Sequence, residues 1–328
     1  KAMPPTDKKS ECTIFEYYVD LSNMMWEKWE APQWTYPRGD GPLDFANLLV
    51  PTVDSTRAIA LLRNMHHQGL PVMMTGSSGT AKTSTALMYF DEFDQDMLMK
   101  KVAFSSVTTT GMIQGTIEGE LDKRGGKTFG PPSGKKMTVF LDDLSMPELN
   151  EWGDQPTLEV VRMLVETRTL AFLDKDKRGD LKVIEDLRYI GAMSHPGGGK
   201  NDIPNRLKRQ FFIFNMTIPD TTSIDNIYGQ IMRGRFGDKS TKKATRDAAE
   251  RLTGLTIRLW SKVKQIFLPT PANFHYVFNM RELSRIYQGV LKALVCLTTG
   301  ANFADCEKRS FNFCEAVRFD LSRASPDE

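Results

Sequence analysis

Residues 75–84, TGSSGTAKTS, have types and spacings that could hold a phosphate group. The known pattern is G-x-x-x-x-G-K-[ST], in which backbone N–H groups surround the phosphates and a lysine neutralises their charge. Gly76, Lys82 and Thr83 are in register with it, but Ala81 stands where the second glycine is expected. We expect Ala81 to be tolerated, because a residue that enters a helix with right-handed dihedrals needs no glycine.

The surroundings of this loop favour a nucleotide site over a chance glycine-rich turn. It follows an apolar run and precedes a helical pattern, so its N–H groups would point toward an anion at a helix N-terminus. Lys82 would neutralise β- and γ-phosphate charge, and the Thr83 hydroxyl would hold Mg²⁺. The predicted nucleotide-binding residues of the loop are Gly76, Gly79, Thr80, Ala81, Lys82, Thr83 and Ser84.

A second group of polar residues ends an apolar run at 137–143, MTVFLDD. A carboxylate at the end of a strand beside the loop would lie next to the Mg²⁺, and we assign that role to Asp142. Asp143 follows as the candidate catalytic carboxylate that would orient the attacking water. The alternative is that the two aspartates only end a strand.

Four further residues complete the candidate site. Ser194 ends the next apolar run, where it could contact the terminal phosphate or the water. Arg206 and Arg209 precede the fifth run and are candidates to act in trans on a neighbouring subunit's nucleotide, where they would stabilise developing negative charge. Arg281 opens a helix and could reach the γ-phosphate. For any one arginine a surface salt bridge is the alternative, but their order and spacing favour function.

A glycine-rich segment, PGGGK at 196–200, directly follows this region. No lysine followed by serine or threonine stands at the offset that a second phosphate loop would need. We therefore interpret it as a flexible turn.

The elements that would position these residues form an α/β pattern. Five short apolar runs predict a parallel sheet of buried strands: 71–75, 101–106, 137–143, 188–194 and 211–216. Helical patterns at 83–93 and 157–167 lie between them and would flank the sheet. We predict an aromatic-rich extension at 1–40, a large α/β subdomain at 41–220 and a smaller helical subdomain at 221–328, whose first amphipathic helix would turn Leu252, Leu255 and Leu259 toward its core.

The composition of the 328 residues is that of a globular protein, with 40% hydrophobic and 26% charged residues. The net charge of +2 gives no electrostatic reason to expect a nucleic-acid or membrane partner. Four cysteines without C-x-x-C spacing and four histidines without H-E-x-x-H spacing argue against a disulfide framework and a zinc site.

The ordered set of motifs resembles the AAA+ ATPase family, a P-loop NTPase fold with a five-stranded parallel sheet and a helical lid. Longer phrases are similar to the third AAA+ module of axonemal dynein heavy chains, most of all to the outer-arm gamma type. These phrases are LLVPTVDSTR (48–57), GTAKT (79–83), VFLDDLSMPELNEWGDQPTLEVVRMLVE (139–166), AMSHPGGGKNDIPNRLKRQF (192–211) and NFHYVFNMRELSRIYQGVL (273–291).

The resemblance implies one module of a six-module motor ring in a cilium or flagellum axoneme, within the cytoskeleton of the cytoplasm. Its cofactors would be ATP or ADP with Mg²⁺, and Leu49, Val50 and Thr52 would surround the adenine. Its partners would be the neighbouring AAA+ modules of the same heavy chain. Intermediate chains, light chains and microtubules would be reached only through the full-length protein.

Two departures from the family pattern bear on hydrolysis. Asp143 replaces the usual glutamate and Ser194 the usual asparagine, while Lys82, Thr83 and Asp142 remain. One hypothesis is a slow Mg²⁺-dependent ATPase, and a second is a regulatory module that binds nucleotide and rarely turns it over. A third is a stand-alone AAA+ ATPase that acts as a chaperone or remodeller.

Overall fold

A computed structural model describes residues 13–20, 22–37, 45, 48–173, 175–177, 179–237, 243–273 and 275–298. The chain divides into two compact units. The first contains residues 1–29 and 53–218, and the second contains residues 30–52 and 219–328. Residues 30–40, which we predicted as part of an extension, and 41–52, which we predicted as part of the α/β region, group with the C-terminal helices in this division. Parts of the predicted 1–40 and 221–328 regions, including 299–328, lie outside the described residues.

The bounds of the strands and helices are as follows. The strands are β1 (Tyr17–Asp20), β2 (Met25–Lys28), β3 (Val72–Thr75), β4 (Met97–Ala103), β5 (Asp122–Gly125), β6 (Thr128–Gly130), β7 (Lys136–Asp142), β8 (Thr169–Ala171), β9 (Leu181–Ile184), β10 (Leu187–Met193) and β11 (Phe212–Asn215). The helices are α1 (Val53–His67), α2 (Lys82–Phe90), α3 (Thr110–Glu118), α4 (Pro156–Glu166), α5 (Asn205–Lys208), α6 (Thr221–Phe236), α7 (Lys243–Ile266) and α8 (Met280–Thr298). Short 3₁₀ turns occupy Ile14–Glu16, Pro132–Gly134 and Lys175–Lys177.

The five predicted apolar runs form one parallel sheet in the order β11-β3-β10-β7-β4. The predicted α/β fold is therefore confirmed. The three central strands are almost wholly buried, but the edge strands β4 and β11 are partly exposed, which corrects the expectation of five buried strands. An edge strand has a neighbouring strand on one side only, so more of its surface stays exposed than that of a central strand, even where its residues are apolar as in β11.

Helices cover both faces of the sheet, as a parallel sheet requires. On one face α1 and α2 pack through Leu62 and Ala86 against strand residues such as Phe140. On the other face α3 and α4 pack through Ile117 and Leu158 against the second set of strand side chains. Because side chains alternate along a strand, each strand contributes to both cores.

A second, smaller sheet of the first unit has the order β5-β6-β9-β8. Strands β5 and β6 form an antiparallel hairpin within the Gly/Pro-rich segment 122–136. Strands β8 and β9 carry no run of apolar residues long enough to have predicted them. A further hairpin, β1–β2, stands near the N-terminus, and Glu16 beside it accepts a hydrogen bond from Arg57 of α1 at 2.6 Å.

The second unit is helical and its core lies among α6, α7 and α8. The predicted face of α7 is partly wrong. Leu252 is half-buried against the core, whereas Leu255 and Leu259 are exposed. Ile257 and Trp260 are buried in their place. The buried stripe is rotated by about one residue, or 100°, around the helix. Since α7 carries apolar residues on two stripes, the larger area of the buried indole favours the stripe that contains Trp260.

Within the described residues, no helix combines the length and the apolar character needed to cross a bilayer.

Candidate functional site

The glycine-rich loop lies where β3 ends and α2 begins. The N–H of Met216, just after β11, donates to the carbonyl of Thr75 at 2.7 Å, which fixes the end of β3 against its neighbour. A Cβ at Gly76 would approach the Met216 carbonyl oxygen to 2.5 Å and Thr80 Oγ1 to 2.8 Å. No other residue fits there without moving backbone, so the sequence requirement for glycine at 76 has a steric cause.

Ala81 is the residue where the structure corrects our expectation. It directly precedes α2 with φ 60° and ψ 22°, which is the left-handed region, not the right-handed one that we predicted. The loop turns sharply there so that its N–H groups converge, and the left-handed conformation favours glycine. Alanine is therefore accommodated with backbone strain on the order of 1 kcal/mol. Gly79, two residues earlier, is also left-handed at φ 83°.

Lys82 curls back over the loop and is buried, with 8% of its surface exposed. Its ammonium donates to the carbonyls of Gly76 and Ser77, both at 2.9 Å, and to Thr80 Oγ1 at 3.3 Å. Thr80 Oγ1 in turn donates to the Ser77 carbonyl at 3.0 Å. These contacts hold the lysine inside the concavity of the loop.

Asp142, the last residue of β7, faces the first turn of α2. Its two carboxylate oxygens both lie 3.2 Å from Thr83 Oγ1. The carboxylate is buried and also pairs with Lys101 of β4, whose Nζ lies 2.9 Å from Oδ2. The sheet register explains the pair, since Ala103 is level with Asp142 and Lys101 lies two residues earlier on the same face.

This arrangement fits Mg²⁺ and a nucleotide phosphate. A hydroxyl and a carboxylate converge at one point, and oxygen is the ligand type that Mg²⁺ prefers. The N-terminus of α2, where Thr83 and Ser84 are half-buried, suits an anion. Within the described residues no cluster of three or more histidine, cysteine or acidic side chains offers a different metal site.

Asp143 and Ser194 follow the ends of the neighbouring strands β7 and β10. Asp143 is half-buried with φ 59°, a left-handed conformation that aspartate adopts more readily than most residues. Ser194 is 3% exposed and its Oγ accepts a hydrogen bond from Lys200 at 2.7 Å. Met193 is level with Thr75 across the β10–β3 pairing, so Ser194 lies at the height of Gly76.

The two predicted trans-acting arginines lie on the surface of the first unit. Arg206 in α5 is exposed and lies 3.8 Å from a carboxylate oxygen of Glu159. Arg209, which follows α5, is exposed and pairs with Glu166 at 2.9 Å. Arg162 shares Glu166, and these two arginines lower the pKa of that carboxyl. A role toward a neighbouring module stays a prediction for both Arg206 and Arg209.

The remaining predicted residues belong to the second unit. Leu49 is half-buried, Val50 is buried in the helical core, and Thr52 is half-buried. Arg281 is exposed in the first turn of α8, and its N–H donates to Asn279 Oδ1 at 2.8 Å. Their roles toward a nucleotide stay predictions.

Two lysines of the site were missed by the sequence analysis. Lys101 was placed at the beginning of a strand that in fact starts at Met97, so its position on the same face of the sheet as Asp142 was not visible. Lys200 was noticed only as part of a turn. The signal that could have found both is the order of the strands, which brings residues distant in sequence to one edge of the sheet.

His66 is a core residue and contacts no predicted site residue. Its ring nitrogens lie 2.8 Å from Thr138 Oγ1 and 2.9 Å from the Tyr89 hydroxyl. Burial, with smaller effects from the charges of Arg188 and His67, lowers the pKa of His66 to about 4. The ring is therefore neutral near pH 7 and serves packing and hydrogen bonding.

Comparison with known proteins gives consistent matches. A family model described as the P-loop containing dynein motor region matches residues 38–219, and an AAA+ lid domain model matches residues 252–304. The flagellar outer-arm dynein gamma chain of Chlamydomonas reinhardtii is 46% identical over 294 residues, 89% of this chain and 6% of that protein. Axonemal dynein heavy chain 5 of Mus musculus is 47% identical over 85% of this chain and 6% of its own length. Axonemal dynein heavy chain 8 of Homo sapiens is 45% identical over 88% and 6%. The chain thus spans about 6% of the length of these relatives.

Proposed function

This chain belongs to the family of P-loop-containing dynein motor regions, and we propose that it is the third AAA+ module of an axonemal dynein heavy chain. It binds ATP or ADP with Mg²⁺ and regulates the motor ring through the nucleotide that it holds. It acts in the axoneme of a cilium or flagellum, and its direct partners are the neighbouring modules of the same heavy chain. Microtubules and the smaller dynein chains are reached through the rest of that protein.

The observation that carries nucleotide binding is the contact between Thr83 and Asp142. Thr83 opens the helix after the loop, Asp142 ends a strand that is not adjacent to β3, and the fold brings their oxygens to 3.2 Å. In P-loop proteins this pair holds the Mg²⁺ that bridges the β- and γ-phosphates. A chance glycine-rich turn would have no reason to face a buried carboxylate.

Lys82 supplies the positive charge that the phosphates require. Its ammonium donates to the carbonyls of Gly76 and Ser77 at 2.9 Å, which holds the charge at the loop where the phosphates would bind. Bound Mg²⁺ would neutralise phosphate charge in addition. The N–H groups at the start of α2 add fixed dipoles that favour the same anion.

The regulatory role rests on the two residues that would govern hydrolysis. Asp143 is one methylene shorter than a glutamate, and a small misplacement of the group that orients water is costly in rate. Ser194 reaches less far than an asparagine. Both changes leave Lys82, Thr83 and Asp142 in place, so binding is retained while turnover is slow.

Bound-nucleotide analysis tests this proposal. The purified chain is mixed with MgATP, separated from free nucleotide at intervals over hours, and the bound nucleotide is identified by chromatography. We expect nucleotide on the unmodified chain that remains largely ATP, and none on Lys82→Ala. Lys123→Ala is the matched control, because Lys123 is exposed on β5, in the other sheet of the same unit.

The outcomes separate the hypotheses. An unmodified chain that retains no more nucleotide than Lys82→Ala would contradict the phosphate-binding role of the loop. Rapid conversion of bound ATP to ADP would contradict slow turnover and identify a competent ATPase. Equal loss of nucleotide in Lys123→Ala would show that the effect of Lys82→Ala is not specific to the loop.

A further inference from the structure

Lys200 stands out because no acidic partner for its charge is found in the described part of the chain. Its ammonium is half-buried and donates to Ser194 Oγ at 2.7 Å. Among the residues that the structure describes, no carboxylate lies within 4 Å of it, whereas Lys101 at the same edge of the sheet pairs with Asp142. A half-buried ammonium loses part of its hydration, and a hydrogen bond to a neutral hydroxyl does not replace it with an opposite charge. A bound anion would therefore stabilise the ammonium.

The turn that carries Lys200 is built to hold it in place. Gly197, Gly198 and Gly199 have φ of 117°, 60° and 80°, a run of left-handed residues that side chains would strain. Gly197 and Lys200 exchange backbone hydrogen bonds at 3.0 and 3.3 Å, which close the turn. The glycines thus serve a defined geometry that directs the lysine back toward β10.

The same turn is anchored to the segment that follows Asp142 and Asp143. The N–H of Asn201 donates to the Ser145 carbonyl at 2.9 Å, and its side-chain amide donates to the Pro147 carbonyl at 2.8 Å. Lys200 is therefore tied to the loop after β7 as well as to the end of β10. Through Ser194, its ammonium lies at the carboxyl end of β10, the strand between β3, which precedes the phosphate loop, and β7, which ends in Asp142.

The contact with Ser194 also determines what that serine can do. Because the lysine donates to Ser194 Oγ, the hydroxyl hydrogen remains available to an acceptor. Lys200 and Ser194 together present an ammonium and a hydroxyl donor on one side of the site. A terminal phosphate beside the Mg²⁺ held by Thr83 and Asp142 would meet both.

We propose that Lys200, acting with Ser194, is the residue by which this site distinguishes a nucleoside triphosphate from a diphosphate. The proposal rests on the proposed nucleotide-binding function and adds a specificity determinant to it. The pair takes over the donor role that a single longer side chain at 194 would have. A diphosphate lacks the group that the ammonium contacts, so its affinity depends on the loop and on Lys82 alone.

The test is the ratio of two dissociation constants, measured by calorimetry with Mg²⁺ present. The ligands are ADP and a non-hydrolysable ATP analogue, and the proteins are the unmodified chain, Lys200→Met and Lys200→Arg. We expect Lys200→Met to weaken binding of the ATP analogue by about tenfold or more, since a charge-assisted hydrogen bond is lost. ADP affinity should stay within about twofold, and Lys200→Arg should restore most of the preference.

The matched control is Lys208→Met. Lys208 follows Lys200 closely in the sequence, in α5, but its ammonium pairs with the Asp202 carboxylate at 2.7 Å. Equal loss of both ligands in Lys200→Met would show a structural role for the turn and overturn the proposal. Unchanged affinity for both would overturn it as well. If the unmodified chain binds neither ligand, the nucleotide-binding function itself fails, and the role of Lys200 fails with it.

Discussion

Lys101 Nζ lies 2.9 Å from Asp142 Oδ2, so the carboxylate that would hold Mg²⁺ is already paired with a cation of the neighbouring strand. Asp142 is nearly buried, while Lys101 is 40% exposed and can move into solvent. Metal and ammonium would compete for the same oxygen. The strength of the proposed Mg²⁺ binding would therefore be set in part by Lys101, a residue of a strand that does not carry the phosphate loop.

We expect Lys101→Met to lower the Mg²⁺ concentration needed for half-maximal nucleotide binding. An exposed ion pair contributes about 1 kcal/mol or less, so the shift should be a few-fold, up to about fivefold. A Mg²⁺ titration at fixed nucleotide, followed by fluorescence of a labelled nucleotide, measures it. Lys100→Met is the control, because Lys100 pairs with Glu120 instead. A higher Mg²⁺ requirement in Lys101→Met would contradict the competition.

Ala81→Gly should stabilise the protein slightly. Glycine relieves left-handed strain of about 1–2 kcal/mol, and the greater freedom of the unfolded chain offsets about 0.4–1 kcal/mol of that gain. Denaturant unfolding with the midpoint and slope both fitted measures the difference. Ala86→Gly, inside α2 and fully buried, should lose stability under the same conditions. If both glycines destabilise alike, the left-handed conformation of Ala81 is wrong.

Asp143→Glu should increase ATP turnover, on the order of tenfold to a hundredfold for a better-placed general base. Its stability should fall by up to about 1 kcal/mol, because glutamate tolerates the left-handed conformation of residue 143 less well than aspartate. Single-turnover hydrolysis is measured with the proposed neighbouring modules on the same polypeptide, because an arginine from a neighbour would act on this site as Arg206 and Arg209 are proposed to act on another. Asp143→Asn, which cannot accept a proton, is the control. Unchanged turnover with glutamate would mean that the length of residue 143 does not limit the rate.

His66 should make the protein lose stability in mild acid. The pKa of His66 is about 4 in the folded protein and near 6.5 when unfolded, so the unfolded state binds the extra proton between these values. The free energy of unfolding has its full value above pH 6.5 and falls toward pH 4. The loss is on the order of 2 kcal/mol by about pH 5. His66→Gln should flatten this dependence in unfolding curves taken across that range. The exposed neighbour variant His67→Gln should leave the slope as it is.

The packing of α7 is testable with two variants, one at a buried and one at an exposed residue. From the sequence alone, the opposite order of their stability losses would be expected. Ile257→Ala should cost about 2–5 kcal/mol, because Ile257 is 4% exposed within the helical core. Leu255→Ala should change stability by less than about 0.5 kcal/mol, since Leu255 is 61% exposed. Denaturant midpoints of the two variants decide the matter. A larger loss for Leu255→Ala would restore the face that the sequence predicted.

The sequence alone determined the parts of this protein that depend on neighbouring residues. An apolar run followed by spaced glycines, a lysine and a threonine is sufficient to predict strand, loop and helix, because each signal acts over a few residues. The apolar run that ends in Asp142 is likewise a local signal, and it predicts a strand with a carboxylate at its end. These local patterns predicted the parallel sheet and placed Lys82 and Thr83 together at the phosphate loop.

Only the tertiary structure decided what depends on packing between distant segments. The left-handed turn at Ala81 follows from how the loop is held between β3 and α2, and the buried face of α7 follows from what the second unit packs against it. Lys101 and Lys200 enter the site because the strands pair in the order β3-β10-β7-β4, which is not their order along the chain. The pairing of non-consecutive strands is a long-range property, so no local pattern in the sequence contained it.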